Sequence, residues 1–281
     1  MRVAGLLFFL PLFCYGSLIV SAPYRSGIVI CADKREIHRD EFPDGTKRFS
    51  TRDDVSKIID LGKFAVVGAT GNPAFPDEGR FSKRFDVMQE VTAYYKSRAY
   101  STDSIPAIQE HLTTTLTSFL NILPRFLWPT PYKQDDPLFL VVVFDIDQQN
   151  RLNVVDFTLT YKAYGIPKIE TQAFWGEAGV VNAFGELSVW REIKTGSDQR
   201  FNVFRRDPLL RRFVVEKHSM TMETRGTALA VAKRTITATH EGLAILTSPN
   251  EPIAVSETSD CACIRSGWGF HWMEKDGHIV Q

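Results

Sequence analysis

Ser26-Gly27-Ile28-Val29-Ile30-Cys31-Ala32-Asp33-Lys34-Arg35 decides how this chain is read. An apolar run passes through a small residue and breaks onto a carboxylate and two cations, the pattern of a strand that ends on charge. Just before it, Leu18-Ile19-Val20 forms a second apolar run, and Pro23-Tyr24-Arg25-Ser26-Gly27 between the two is turn chemistry at hairpin spacing. The chain therefore enters its fold as a β-hairpin. Beyond it, the polar stretch Glu36 to Asp54 carries the turn signal Pro43-Asp44-Gly45 and leads into two further strands, Val55 to Leu61 and Phe64 to Ala69, joined across Gly62-Lys63.

Two helical stripes follow. Phe81, Phe85, Met88, Val91 and Tyr95 recur at helical intervals, as do Ile105, Ile108, Leu112, Leu116, Phe119 and Ile122. Pro106 suits the first turn of the second helix, Ser104 its cap and Pro124 its end. Strands return at Leu138 to Phe144 and Leu152 to Thr160, around an Asp145-Ile146-Asp147-Gln148-Gln149-Asn150 turn that lacks the glycine and distal glutamate of a calcium loop. Thr171 to Trp175 and Glu186 to Trp190 read as strands, Gly226 to His240 as an alanine-rich helix and Pro252 to Ile264 as strand. Runs of strands alternating with runs of helices define an α+β protein, with helices packed on antiparallel sheets and no linker dividing the chain.

Composition narrows the function. Thirty-three basic residues balance thirty-three acidic ones, so there is no overall basic field for nucleic acid or an anionic membrane surface. Residues Val3 to Ala22 carry no charge, a length that fits a membrane anchor. Pro11 interrupts that run, and Cys14-Tyr15-Gly16 places small residues where a signal peptidase needs them, so removal of residues 1–16 and export is the expectation. A retained anchor and a simple apolar first element are the alternatives. Removing that segment leaves Cys31, Cys261 and Cys263, an odd number whose Cys261-x-Cys263 spacing suits no ordinary bridge, so isolated thiols are expected.

A cut between Gly16 and Ser17 has a chemical consequence. Residue 17 would then carry both a hydroxyl and an α-amine, and a terminal amine, which ordinarily titrates at about 7.7–8.0, is a base that can activate the hydroxyl for attack on a carbonyl. Such a pair needs a cation beside it, a carboxylate to hold that cation, and backbone N–H groups for the oxyanion. Lys57, Asp33 and Gly71 have that chemistry, and Arg35 lies two residues from Asp33, on the same strand face. Taken singly, each is also an ordinary strand-end or turn residue.

The spacing brings a family into view. Ser17 after Gly16, the stretch Ser26 to Arg35, Ser56-Lys57-Ile58-Ile59-Asp60-Leu61 and Val66-Val67-Gly68-Ala69-Thr70-Gly71 together resemble proteasome β-type subunits and their bacterial relatives, within the N-terminal nucleophile hydrolases. In that family the aspartate and arginine follow the nucleophile by sixteen and eighteen residues and the oxyanion glycine follows the lysine by fourteen, the separations of Ser17 from Asp33 and Arg35 and of Lys57 from Gly71. The resemblance implies a four-layer αββα sandwich over residues 17–281, with Ser17, Asp33, Arg35, Lys57 and Gly71 catalytic. It also implies a peptide or amide substrate, no cofactor or metal, and a homo-oligomer, possibly a ring. The family nucleophile is usually threonine. Trp175-Gly176-Glu177 stands where the family has serine-glycine-serine, and His240-Glu241-Gly242 where it has an aspartate followed by Ser-Gly.

Two other readings compete with an exported amide-bond hydrolase: a non-catalytic proteasome-like assembly subunit, and a membrane-tethered binding domain with an uncut N-terminus. The histidines show no paired metal spacing, and Trp268, Phe270 and Trp272 alternate as on a packed strand edge or subunit contact.

Overall fold

The computed structural model describes residues 10–11, 17–41, 44–62, 65–71, 74–76, 82–97, 104–129, 139–146, 152–162, 166–175, 180–216, 222–265 and 267–280. Its strands are β1 (Leu10–Pro11), β2 (Leu18–Tyr24), β3 (Gly27–Asp33), β4 (Glu36–Glu41), β5 (Lys47–Arg52), β6 (Ile58–Gly62), β7 (Ala65–Gly71), β8 (Ala74–Phe75) and β9 (Phe85–Asp86). After helices α1 (Val87–Ser97) and α2 (Ser104–Ile122) come β10 (Phe139–Ile146), β11 (Leu152–Lys162), β12 (Ile166–Trp175) and β13 (Asn182–Gly185). Helices α3 (Ser188–Thr195), α4 (Asn202–Arg206), α5 (Pro208–Leu210) and α6 (Arg225–Leu246) precede β14 (Ser259–Arg265), β15 (Gly269–Lys275) and β16 (His278–Ile279). This is a mixed α+β fold, as the sequence predicts.

Two antiparallel sheets dominate: a six-stranded one in the order β13-β2-β3-β14-β15-β16 and a five-stranded one in the order β12-β11-β10-β7-β6. Strand alternation sorts their side chains between three apolar clusters. Leu18, Val20 and Ala22 on β2, with Val29 and Cys31 on β3, pack under α3 and α6 against Val189, Trp190, Val231, Ala232 and Ile236. Phe139, Val141 and Val143 on β10 pack with Val91, Tyr94, Ile108, Leu112 and Leu116 of α1 and α2. The intervening residues, Ile19, Ile28, Ile30, Ala262 and Ile264 from the first sheet and Ile58, Val142 and Phe144 from the second, share the third cluster. Both faces of the central strands are thus buried, which is why they read as continuous apolar runs.

The longest helix shows how local sequence sets its bounds. Thr224 caps α6 by accepting the Thr227 N–H at 3.1 Å, worth about 1 kcal/mol. Alanines along one side of α6 let it lie close on β2 and β3. Gly242 lets it approach α3: a Cβ there would stand 2.5 Å from a Val189 methyl.

Several expectations need correction. Glu186 to Trp190 is not a strand: β13 ends at Gly185 and α3 begins at Ser188, because Val189, Trp190 and Ile193 supply a helical buried face. The final core strand starts at Ser259 rather than Pro252, and residues 251–258 form an irregular connection. Phe85 belongs to the short strand β9, so α1 starts only at Val87. Glu36 to Asp54 contains the hairpin β4–β5. Phe64, Phe81, Leu138 and 147–150 lie outside the described residues.

The cysteine reading is also corrected. Cys31 and Cys261 form a disulfide across a sequence separation of 230, and Cys263 is free and buried. β3 and β14 are direct neighbours whose register sets Cys31 opposite Cys261, a juxtaposition that sequence spacing does not contain.

Candidate active site

Ser17 stands immediately before β2 and is held through its backbone. Its carbonyl accepts the Glu186 N–H at 2.9 Å, and the next N–H, that of Leu18, donates to Asp33 Oδ1 at 2.6 Å. The residue is 9% exposed. Pairing of Ile19 with Ala32 in the β2–β3 hairpin brings Ser17 to the Asp33 end of β3.

Asp33 is the hub. It is fully buried, and both of its oxygens are saturated. Oδ1 takes the Leu18 N–H and the Lys57 ammonium at 2.9 Å; Oδ2 takes the Arg35 N–H at 3.0 Å and the Ser256 N–H at 3.2 Å. A carboxylate offers about four lone-pair sites, so these donors fill it. Asp33 is therefore built to hold charge and position, with no site left over for taking a proton from a substrate.

Lys57 precedes β6 and enters from the other sheet. It donates to Asp33 and to the Arg35 carbonyl, the latter at 2.6 Å. Burial pushes its ammonium down from the ordinary lysine range, and the Asp33 carboxylate opposes that shift. An ammonium so placed is costly to keep charged.

Arg35 faces away from this ion pair. Its guanidinium grips both oxygens of Asp53 at 2.6 Å and donates to the Ile253 carbonyl at 3.0 Å. The Asp53 hydrogen bonds raise the Arg35 pKa, and Arg35 in turn lowers that of Asp53. Strand alternation alone predicts that Asp33 and Arg35 form a pair on one face; the side chains in fact serve different partners, and what joins them is the Arg35 backbone N–H and carbonyl. Gly71 is the last residue of β7, paired with Phe139, and β7 lies against β2 across the sheets.

The structure thus gathers Ser17, Asp33, Lys57 and the Arg35 backbone at one sheet end. It adds residues that the sequence does not single out: Glu186, Asp53, Ile253, Ser256 and Thr258. Ser256 lies in a polar run, Ser256-Glu257-Thr258-Ser259-Asp260, ahead of β14. His240 on α6 holds the Val255 carbonyl at 2.6 Å, and Ser256 reaches Asp33 through its backbone. Trp175 ends β12, and Gly176 and Glu177 lie outside the described residues. No protein-family model and no curated protein matches this chain. Among the described residues no group of acidic, histidine and cysteine side chains is placed to hold a metal ion.

Chemically, the arrangement offers a hydroxyl-bearing residue fixed at a sheet end, whose neighbour's N–H shares one saturated carboxylate with a desolvated ammonium. That environment suits activation of a nucleophile whose charge changes during reaction, because a low-dielectric site strengthens each electrostatic contact.

Proposed function

We propose that the chain is an exported amide-bond hydrolase, a peptidase or amidase of the N-terminal nucleophile type, in which cleavage after Gly16 frees Ser17 as nucleophile. One observation carries the reading: Asp33 Oδ1 simultaneously accepts the N–H of the residue following Ser17 and the Lys57 ammonium. The carboxylate thereby fixes cation and nucleophile segment against each other. Three apolar clusters, two beneath helices and one shared by the sheets, support the four-layer αββα sandwich of proteasome β-type subunits.

In the mechanism, the Ser17 α-amine takes the hydroxyl proton, directly or through water, as Oγ attacks the carbonyl. Lys57 spends two of its hydrogens on Asp33 and Arg35, and the third is assigned to Ser17 Oγ, where it stabilises developing negative charge. The Gly71 N–H receives the oxyanion. The amine then protonates the departing amide nitrogen, and water releases the acyl group with the amine again as base. None of these steps calls on a cofactor. Export is supported by the Cys31–Cys261 disulfide, since such bonds persist in oxidising compartments. By the same resemblance the domain assembles with copies of itself, with helices such as α1 between subunits; light scattering showing a strict monomer would count against that.

A second reading has its own observation. Leu10–Pro11 pairs with Asp40 and Glu41 on β4, which favours an N-terminal segment retained in the folded protein, as a non-catalytic assembly subunit or a membrane-tethered domain would have. Among the described residues no helix is long and apolar enough to cross a membrane. Sequencing the N-terminus of the mature protein separates the readings: Ser17 as first residue supports the hydrolase, and an intact Met1 supports the alternative.

A further inference from the structure

We infer that His240 is a positioning residue that sets Asp33, and through it Lys57, by gripping the far end of a single peptide group. The peptide joins Val255 to Ser256. Its carbonyl meets His240 Nδ1 at 2.6 Å, and its N–H donates to Asp33 Oδ2 at 3.2 Å. A carbonyl only accepts, so Nδ1 carries the proton. The chain of contacts runs from imidazole through one peptide to the Asp33 carboxylate and then to the Lys57 ammonium. Hydrogen bonds in series polarise one another, so a charge on the ring strengthens the N–H donor that Asp33 receives.

The rest of the 253–258 connection is built around that link. Ile253 and Thr258 accept from Arg35 and from the Lys34 N–H, tying both ends to the chain beyond β3. Ser256 Oγ accepts the Thr258 N–H at 3.1 Å and closes the turn. Helix α6 holds the middle through His240, which grips the Val255 carbonyl and also reaches Glu257 Oε1 through Nε2 at 3.1 Å. A protonated ring donates to both acceptors; a neutral ring with its proton on Nδ1 turns a lone pair toward the Glu257 carboxylate. The charged groups that face the ring are Glu257 from the connection and Asp53, with its partner Arg35, from the segments beside β3 and β6. His240 is consequently a support for the same site, a role that rests on the hydrolase reading only where activity is measured.

The experiment uses the purified mature protein and two variants. His240→Leu removes both contacts; His240→Asn keeps a donor for the Val255 carbonyl but cannot become charged. Hydrogen exchange at the Ser256 amide and peptide-cleavage rates are followed. The expected result is faster Ser256 exchange in His240→Leu with core amides of β2 and β3 unchanged, and normal protection in His240→Asn. Cleavage should fall about tenfold in His240→Leu, the worth of one hydrogen bond, and His240→Asn should restore it to near the wild-type rate. Unchanged Ser256 protection in His240→Leu, or a cleavage rate in His240→Asn as low as in His240→Leu, overturns the inference. If exchange responds as expected while no chain cleaves any peptide, the positioning role stands and the hydrolase reading falls.

Discussion

Lys57 and Asp33 form an ion pair between the two main sheets: the lysine stands at the start of β6, the aspartate at the end of β3, and nitrogen and oxygen are 2.9 Å apart. Neither side chain is more than 7% exposed. Removing two charges from water costs several kcal/mol per ion before attraction returns any of it, so the pair is poor as a device for stability and well suited to holding an ammonium in a dry site.

Asp33→Ala should lower stability by about 3–5 kcal/mol, because it strands a buried ammonium together with the N–H groups of Leu18, Arg35 and Ser256. Lys57→Met should cost less, since three backbone donors still satisfy the carboxylate. Urea melts of both variants and the double variant check this, and the two losses should be clearly non-additive.

The lysine also predicts a pH dependence. Its folded pKa lies below the unfolded one, so the unfolded chain holds the extra proton in between and stability from this group rises with pH through that window. The penalty is complete below the folded value and gone above the unfolded one. Tyr24 and Cys263, both pushed up by burial, act with the opposite sign and are common to wild type and Lys57→Met. The stability lost in Lys57→Met should therefore grow as pH is raised from 7 toward 10 in paired urea melts.

Cys261→Ser should lower stability by about 2–4 kcal/mol, and reduction of the wild type should produce the same shift in melting temperature. Cys263 should stay unlabelled by a thiol reagent until the protein unfolds, since it is buried and its thiol pKa is raised by that burial. Calorimetry with and without reductant, followed by mass mapping, checks both.

Gly242→Ala should destabilise by about 1–3 kcal/mol. The new methyl would meet both Val189 methyls, at 2.5 and 2.9 Å, and the Phe201 ring at 3.1 Å. Val189→Ala in the same chain should restore part of the loss.

Elements that depend on local period are legible in the sequence. The β2–β3 hairpin, α2 and α6 announce themselves by apolar runs about a turn, by a helical stripe that opens on Ser104 and Pro106, and by an alanine-rich composition. The Ser17, Asp33 and Lys57 set is legible because hairpin geometry fixes two of its members. What stays hidden depends on contacts between distant segments. Ser256 reaches Asp33 across 223 positions, and Cys31 reaches Cys261 across 230. Glu186 to Trp190 reads as strand because its apolar residues are too few to separate a strand from the first turn of α3. Alternation assigns Arg35 to Asp33, whereas Asp53 offers its guanidinium a two-oxygen fork.

The most direct test of the central claim is mass spectrometry of the mature protein after treatment with an electrophile that bridges an N-terminal hydroxyl and its own amine. The account predicts a chain that begins at Ser17 and carries one adduct on that residue, with no adduct in Ser17→Ala and strongly reduced labelling in Lys57→Ala. A mature chain that begins at Ser17, remains folded and takes up no label would contradict it and leave the assembly-subunit reading in its place.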